Sequence, residues 1–305
     1  MKSKILIATT TFGECDPHLI GELEKYYECV FNSKKRKLSK KELAELLVDV
    51  DGVIAGTEEY SSDVLMNAKK LKVISRVGVG TDNIDLDLCK ERNIRVITTK
   101  SDLSESVGEL ILSLILSFYR NIPYHHSVIR EKNWRKKMGE SISGKILGII
   151  GLGKIGKKLV ELSKGFNFKI LAYDINQDSD FAQKHSVEFC SMDNLLSRSE
   201  IVSINANSND AGNYIISHEQ IELMNSKTLI INTSRGANID EDALYDALKN
   251  NYIKGACLDV FSIEPYNGRL NKLDNVILTP HIGGYTTNIR KMMEKESITN
   301  LKKFL

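Results

Sequence analysis

Three side chains in the last quarter of the chain, Arg235, Glu264 and His281, are of the types needed to move a proton beside a carboxylate. Histidine is the usual acid–base group near neutral pH. A neighbouring carboxylate stabilises an imidazolium and raises its pKa, and arginine offers a planar fork that grips a carboxylate with two hydrogen bonds. Each of the three follows an apolar run. Arg235 comes after Leu229-Ile230-Ile231, Glu264 after Gly255-Ala256-Cys257-Leu258 and a short loop, and His281 directly after Val276-Ile277-Leu278 in Thr279-Pro280-His281. The chemistry that needs such a trio is hydride transfer at a carbon bearing an oxygen, with the hydride carried by a cofactor and the proton, clamp and geometry supplied by protein. His281 stands out among the six histidines. His125, His126, His185 and His218 lie in polar helical or loop contexts and His18 follows Pro17, so these read as surface residues.

The cofactor is implied by Gly144 to Asp174. An apolar run, Ile146 to Ile150, leads into Gly151-Leu152-Gly153-Lys154-Ile155-Gly156, then a helical pattern, then a second apolar run, Ile170 to Tyr173, ending on Asp174. Gly151 permits a tight turn, Gly153 lets backbone approach a pyrophosphate, and Gly156 lets helix and strand pack closely. The helix start presents free N–H groups and partial positive charge to phosphates. Asp174 follows the last glycine by about 18 residues, the spacing at which a carboxylate reaches ribose hydroxyls. Asp174 would repel a 2′-phosphate and Ile175 supplies no cation, so the pattern predicts NAD rather than NADP.

Elements that could position these groups alternate from the N-terminus. Ile5-Leu6-Ile7, Cys29-Val30-Phe31, Gly52 to Ala55, Val73-Ile74-Ser75 and Val96-Ile97 read as strands, separated by helical patterns at Leu19–Tyr26, Lys40–Val48, Val64–Lys69 and Ile84–Arg92. After Asp174 come a short helix at Leu195-Leu196, a strand at Ile201 to Ile204, a capping box at Ser217 to Gln220, the three strands named above, a helix from Asp240 to Leu248 and a final helix from Asn288 to Leu305. Such alternation implies parallel sheets covered on both faces. Loops at the carboxyl ends of the strands are where open α/β sheets bind ligands. Asp102-Leu103-Ser104-Glu105 reads as a helix N-terminus, and the helix beyond it is apolar nearly all round: Val107, Leu110, Ile111, Leu112, Leu114, Ile115, Leu116, Phe118. Such a helix must be covered everywhere, by the two domains or by a second subunit, and the latter predicts a homodimer.

Bulk properties narrow the class. A chain of 305 residues accommodates about two domains. A hydrophobic content of 42%, a charged content of 27% and a net charge of +2 give no reason to expect nucleic acid or a membrane as partner. Cys15, Cys29, Cys89, Cys190 and Cys257 are scattered without CxxC spacing, which argues against a disulfide framework or a metal site and for a reducing, cytoplasmic setting. The basic run Lys34 to Lys37 reads as a solvated loop.

With these motifs in place, the chain resembles the D-isomer-specific 2-hydroxyacid dehydrogenases, and within them the phosphoglycerate type. The matching stretches are RVGVGTDNID (76–85), SVGE (106–109), GKILGIIGLGKIGKKL (144–159), INTSRGANIDEDAL (231–244), GACLDVFSIEP (255–265) and NVILTPHIGGYT (275–286). The resemblance implies an NAD-binding Rossmann domain at 102–283, inserted in a flavodoxin-like substrate domain at 1–101 and 284–305. It implies Arg235 as carboxylate clamp, Glu264 as partner of the histidine and His281 as proton donor and acceptor. The cofactor set it implies is Gly151, Gly153, Lys154, Ile155, Gly156, Asp174, Thr233, Asp259 and Gly283, with Asp259 near the nicotinamide amide. On the substrate side it implies Gly78, Val79 and Gly80. The substrate is expected to be a small 2-hydroxy/2-oxo acid, with 3-phosphoglycerate/3-phosphohydroxypyruvate as one pair and glycerate, lactate or sugar-acid pairs as alternatives. A non-enzymatic NAD-sensing role on the same scaffold is the rival class.

Two departures bear on the substrate. Asn205-Ala206-Asn207-Ser208-Asn209 replaces a proline-containing loop near the cofactor, and Thr99-Lys100-Ser101-Asp102-Leu103-Ser104 replaces a sequence close to TPNGNS. If Arg76 and Lys100 both reach the substrate, two cations beyond Arg235 favour a second anionic group on it.

Overall fold

The computed structural model describes residues 2–206 and 213–305. Residues up to Asp102, together with Thr286–Leu305, form one unit, and Leu103–Tyr285 form another.

In the first unit, short apolar runs alternate with amphipathic helices: β1 (Lys4–Ile7), α1 (His18–Tyr26), β2 (Glu28–Phe31), α2 (Lys40–Leu47), β3 (Gly52–Ala55), α3 (Ser62–Leu65), β4 (Val73–Arg76), α4 (Leu86–Glu91) and β5 (Arg95–Thr98). The strands pair in parallel in the order β2-β1-β3-β4-β5, the flavodoxin-like arrangement. β3 is buried along its whole length, as a strand covered on both faces must be. Leu6, Leu43, Leu47, Val53, Leu65 and Ile74 pack together at its core. α2 starts where the sequence supplies a reciprocal cap: Glu42 N donates to Ser39 Oγ and Ser39 N to the Glu42 carboxylate.

The second unit contains α5 (Ser104–Tyr119), α6 (Ile122–Arg130), β6 (Ile146–Ile150), α7 (Lys154–Leu162), β7 (Lys169–Tyr173), α8 (Ser179–His185), β8 (Val187–Phe189), α9 (Met192–Arg198) and β9 (Ile201–Ile204). It continues with α10 (His218–Glu222), β10 (Leu229–Asn232), α11 (Glu241–Lys249), β11 (Gly255–Leu258) and β12 (Val276–Leu278). All pairings are parallel, in the order β12-β11-β10-β9-β6-β7-β8. The strand order therefore reverses between β6 and β9, the place where a doubly wound sheet opens a crevice. The chain ends in α12 (Thr287–Leu301), which belongs to the first unit: Ser75 Oγ donates to Ser297 O and Asn300 Nδ2 to Thr98 O. The molecule is thus α/β, a Rossmann sheet interrupting a flavodoxin-like one.

α5 opens at Ser104, with Leu103 at the cap position and no side-chain hydrogen bond from it. Two expectations change. Of the apolar residues of α5, Val107, Ile111, Leu112, Leu114 and Ile115 join the core formed by Leu147, Ile149, Leu159, Ile201 and Ile231 of the same unit, while Leu110, Leu116 and Phe118 are only partly buried against it. His185 is more than a surface residue. It stacks on Phe181, its Nδ1 is buried without a partner among the described residues, and desolvation pushes its pKa down.

Among the described residues, no group of three His, Cys, Asp or Glu is placed to hold a metal, and all five thiols are free. No helix among the described residues is long and apolar enough to cross a membrane.

Candidate active site

The glycine turn sits between β6 and α7 at the reversal point. Gly151 has φ +92°, a conformation costly for any residue with a Cβ, and the backbone of Ala206 would lie 2.7 Å from such an atom. A Cβ at Gly156 would stand 2.3 Å from Gly151 O, so this glycine permits close packing of helix on strand. Gly153 differs: among the described residues a Cβ there would meet nothing within 4 Å. Its smallness serves no protein contact, and the space beside it suits a ligand. Gly153 caps α7 without a side-chain hydrogen bond, which leaves the helix N–H groups to an anion. Lys154 is exposed and Ile155 packs partly into the core below.

Asp174, at the end of β7, is held by its surroundings. Leu152 N donates to its Oδ2 at 2.6 Å and Asn176 N to its Oδ1 at 2.8 Å. The carboxylate is thereby fixed beside the glycine turn, with lone pairs remaining for hydroxyl donors. Across the crevice, Asn205 N donates to Ile150 O, and Asn205 Nδ2 is buried without an acceptor among the described residues. The Asn207–Asn209 part of that loop lies outside the described residues. Open space beside Gly153, uncapped helix amides and a fixed carboxylate together fit a dinucleotide.

The end of β10 is organised by Asn232. Its Oδ1 accepts from Ser234 N and Ser234 Oγ, and its Nδ2 donates to Arg235 O at 2.8 Å. Asn238 braces the same turn by donating to Ser234 Oγ. The turn presents half-buried Arg235, while Thr233 is buried at its start. The following residue, Gly236, carries a signal the sequence reading passed over. A Cβ there would lie 1.9 Å from the carbonyl carbon of Phe261, so only glycine lets the Arg235 turn press against the loop after β11. In that loop Phe261 N donates to Glu264 Oε1 at 3.1 Å, and the other oxygen, Oε2, lies 2.9 Å from His281 Nδ1.

His281 adopts φ +57°, a left-handed conformation uncommon outside glycine although histidine tolerates it better than most. Asp259 stabilises this conformation. The residue is fully buried, its Oδ1 accepts from Thr279 Oγ1 at 2.6 Å and Ile282 N at 2.8 Å, and its Oδ2 accepts from Gly283 N at 2.8 Å. Asp259 O also accepts from His281 N at 2.9 Å. Burial raises the Asp259 pKa, opposed by these hydrogen bonds. The Asp259 side-chain oxygens face the 279–283 turn and, with its carbonyl, fix the backbone of His281. Gly283 is likewise engaged, with its N–H on Asp259 and its carbonyl accepting from Ser106 Oγ at 2.7 Å. Thr279 and Gly236 are the positions that sequence reasoning missed.

In the first unit, Arg76 ends β4. Its Nη1 donates to Val77 O at 2.5 Å and lies 2.8 Å from where a Gly78 Cβ would be, so the guanidinium folds back over its own loop. Gly78 has φ +148°, and its N–H donates to Thr99 Oγ1. Val79 is exposed and Gly80 half-buried. Lys100 is exposed, and its backbone N–H donates to Glu296 Oε1 at 2.8 Å.

A model of the D-isomer specific 2-hydroxyacid dehydrogenase NAD-binding domain matches residues 112–283. The chain belongs to that family. It is 33% identical over 315 residues to a glyoxylate reductase of Thermococcus litoralis, covering 100% of this chain and 94% of the relative. It is 39% identical over 274 residues to a D-3-phosphoglycerate dehydrogenase of Methanocaldococcus jannaschii, covering 88% of this chain and 52% of that longer relative. Among solved structures, D-lactate dehydrogenase of Aquifex aeolicus complexed with NAD and lactic acid superposes with a TM-score of 0.81 at 26% identity, covering 98% of this chain and 94% of that one. The protein is accordingly an NAD-dependent oxidoreductase of 2-hydroxy and 2-oxo acids.

Proposed function

We propose that this dehydrogenase interconverts a small 2-oxo acid and its D-2-hydroxy acid with His281 as the proton-transferring group, Glu264 as its orienter and Arg235 as the substrate clamp. The observation carrying this reading is the 2.9 Å contact between His281 Nδ1 and Glu264 Oε2, made in a turn whose backbone Asp259 fixes. With Nδ1–H donated to the carboxylate, Nε2 is the atom left to exchange a proton with substrate. In the reductive direction the substrate carboxylate pairs with Arg235, and NADH supplies the hydride to the carbonyl carbon. His281 Nε2 gives its proton to the oxygen as alkoxide character develops, leaving a neutral imidazole whose Nδ1–H stays on Glu264. The reverse reaction returns the proton to Nε2.

Gly151, Gly153, Lys154, Ile155 and Gly156 are the residues that would hold the cofactor, with Asp174 as acceptor for the ribose hydroxyls and Thr233 lining the crevice. The unit containing β1–β5 and α12 serves as the substrate domain, contributing the turn of Gly78, Val79 and Gly80. The setting is cytoplasmic, in keeping with five unpaired thiols. The protein works as a homodimer, supported less by α5 than by α6 and the segment after it. Ile122 and Ile129 of α6 are more than half exposed, and Trp134 and Met138 are exposed to 82% and 93%. Their segment is nevertheless held in place: Asn121 Nδ2 donates to Met138 O, His125 Nε2 to Lys137 O and Glu140 N to Tyr119 O. A tethered apolar patch of this kind fits a second copy better than solvent.

The deciding experiment is NADH oxidation followed against glyoxylate, hydroxypyruvate, pyruvate and 3-phosphohydroxypyruvate. Turnover of at least one supports the reading. NADH binding with no turnover on any 2-oxo acid points to a sensing role and defeats it.

A further inference from the structure

Within the second unit, one fully buried side chain joins the glycine turn to the Arg235 turn. Asn238 is 0% exposed, and its neighbours Ile239 and, across a β-bridge, Ile216 are apolar and buried. Its Nδ2 carries two N–H groups and both are used: one donates to Ala206 O at 2.8 Å, the other to Ser234 Oγ at 2.7 Å. On the Ala206 side the chain lies against the glycine turn. A Cβ at Gly151 would stand 2.7 Å from Ala206 N and 3.0 Å from its Cα, and Asn205 N donates to Ile150 O at 2.8 Å. On the other side, Ser234 Oγ donates to Asn232 Oδ1 at 2.9 Å, and Asn232 Nδ2 donates to Arg235 O at 2.8 Å. The backbone of Asn238 repeats this attachment: its N–H donates to Arg235 O at 3.1 Å, and its carbonyl accepts from Ile215 N and Ile216 N. An apolar side chain would serve core packing alone. A buried amide is stabilising only with its hydrogen bonds made, and here they tie the glycine turn to the turn that presents Arg235.

We infer that Asn238 is a positioning residue for hydride transfer, fixing the distance between the Arg235 clamp and the glycine turn that seats the dinucleotide. It touches neither ligand itself. Arg235 sets where the substrate carboxylate lies and the glycine turn sets where the cofactor lies, so the register between them governs the approach of the hydride to the carbonyl carbon. A fully satisfied buried network holds such a distance more firmly than apolar contact does. A misplacement of about 1 Å between reacting groups costs on the order of 10² in rate. The inference rests on the reading of Arg235 as clamp and goes beyond it.

The test uses NADH and whichever of the four 2-oxo acids above the wild type turns over. Asn238→Leu fills a similar volume and takes the side-chain donor away from Ala206 O and Ser234 Oγ. Its kcat per bound NADH should fall at least about tenfold, while KM for the 2-oxo acid and the NADH dissociation constant stay within about threefold. The primary isotope effect measured with NADH deuterated at both C4 positions should rise, because hydride transfer becomes the slow step. Ser234→Ala cuts the same path by removing one hydroxyl and should act in the same direction, with the double variant no worse than Asn238→Leu alone. It decides the matter if Asn238→Leu fails to fold. Ser234→Thr keeps the hydroxyl and should retain kcat. A folded Asn238→Leu with unchanged kcat and isotope effect overturns the inference. So does a lower melting temperature with wild-type kcat per bound NADH, since Asn238 then supports only the fold. A loss confined to KM also overturns it, because Asn238 would then support the grip on the carboxylate and not its register with the cofactor. Arg235→Lys tests the underlying reading separately. A KM left unchanged there defeats the clamp, while the isotope effect of Asn238→Leu still decides whether Asn238 acts on hydride transfer. A wild type inert on all four acids defeats the catalytic reading and this inference together.

Discussion

His281 is held in a left-handed backbone conformation by four hydrogen bonds that Asp259 receives, and its ring is aimed by Glu264. An arrangement that costs roughly 1–3 kcal/mol of backbone strain persists where its surroundings over-determine it, and such strain clusters at functional sites. His281→Ala should therefore lower kcat by about 10² to 10⁴ while the dissociation constant of NADH, followed by fluorescence, changes little. Retention of most of the activity on the true substrate would rule out His281 as the proton donor. Asp174 carries the second prediction at this scale. Its oxygens are fixed by Leu152 N and Asn176 N, and no cation follows it in Ile175 to gather a 2′-phosphate. Measured kcat/KM should favour NADH over NADPH by at least about tenfold, equivalent to about 1.4 kcal/mol. Equal efficiencies would take Asp174 off the ribose. Arg235, Glu264 and His281 were legible in the sequence because each follows an apolar run and has a type suited to the chemistry. Gly236, Thr279 and the work of Asp259 were not. Their significance lies in contacts between loops some 20 residues or more apart, to which no local pattern responds.

Most strands of both sheets could be read from apolar runs of two to five residues, since a strand buried on both faces leaves little else in its place. Helices with a marked apolar stripe or a reciprocal cap, such as α2, α10 and α11, were equally visible. Shorter elements without such marks were not: α8 and β8 span seven and three residues and offer too few turns or alternations to form a pattern. α5 illustrates a different limit. Its apolar residues were seen, but what covers them is a matter of packing: five are buried in the core of its own unit, and Leu110, Leu116 and Phe118 only partly. Two glycines at the start of α7 permit a test that separates structure from binding. Gly156→Ala puts a methyl 2.3 Å from Gly151 O and should lower the melting temperature by several degrees. Gly153→Ala meets no atom of the described residues within 4 Å and should melt as the wild type does, yet bind NADH at least about tenfold more weakly because the methyl occupies the phosphate space. An undiminished NADH affinity in Gly153→Ala would place the pyrophosphate elsewhere.

For the molecule as a whole, the question raised by α5 moves to the surface formed by α6 and residues 131–141. That surface combines Ile122, Ile129, Trp134 and Met138, all largely exposed, with Arg130, Lys132, Arg135, Lys136 and Lys137 around them. Large apolar side chains concentrated in one segment differ from the scattered exposed residues that any protein carries. The segment is not loose. Its far end is fixed where Lys145 Nζ bonds Glu140 at 3.2 Å and Glu200 at 3.0 Å, over the ring of Tyr119. A rigid apolar patch with a basic rim is the composition expected at the centre of a self-association surface, where desolvated aromatic anchors carry most of the energy. Trp134→Glu combined with Met138→Glu should leave the melting of a single subunit nearly unchanged, since both side chains are almost free of intrachain contact, while converting the species seen by sedimentation from dimer to monomer. Both substitutions lie outside the 144–174 cofactor segment and the 231–283 catalytic loops, so NADH should still bind to the monomer. A wild-type protein that sediments as a monomer at micromolar concentration would refute the dimer, and a double variant that remains a dimer would move the interface to another face.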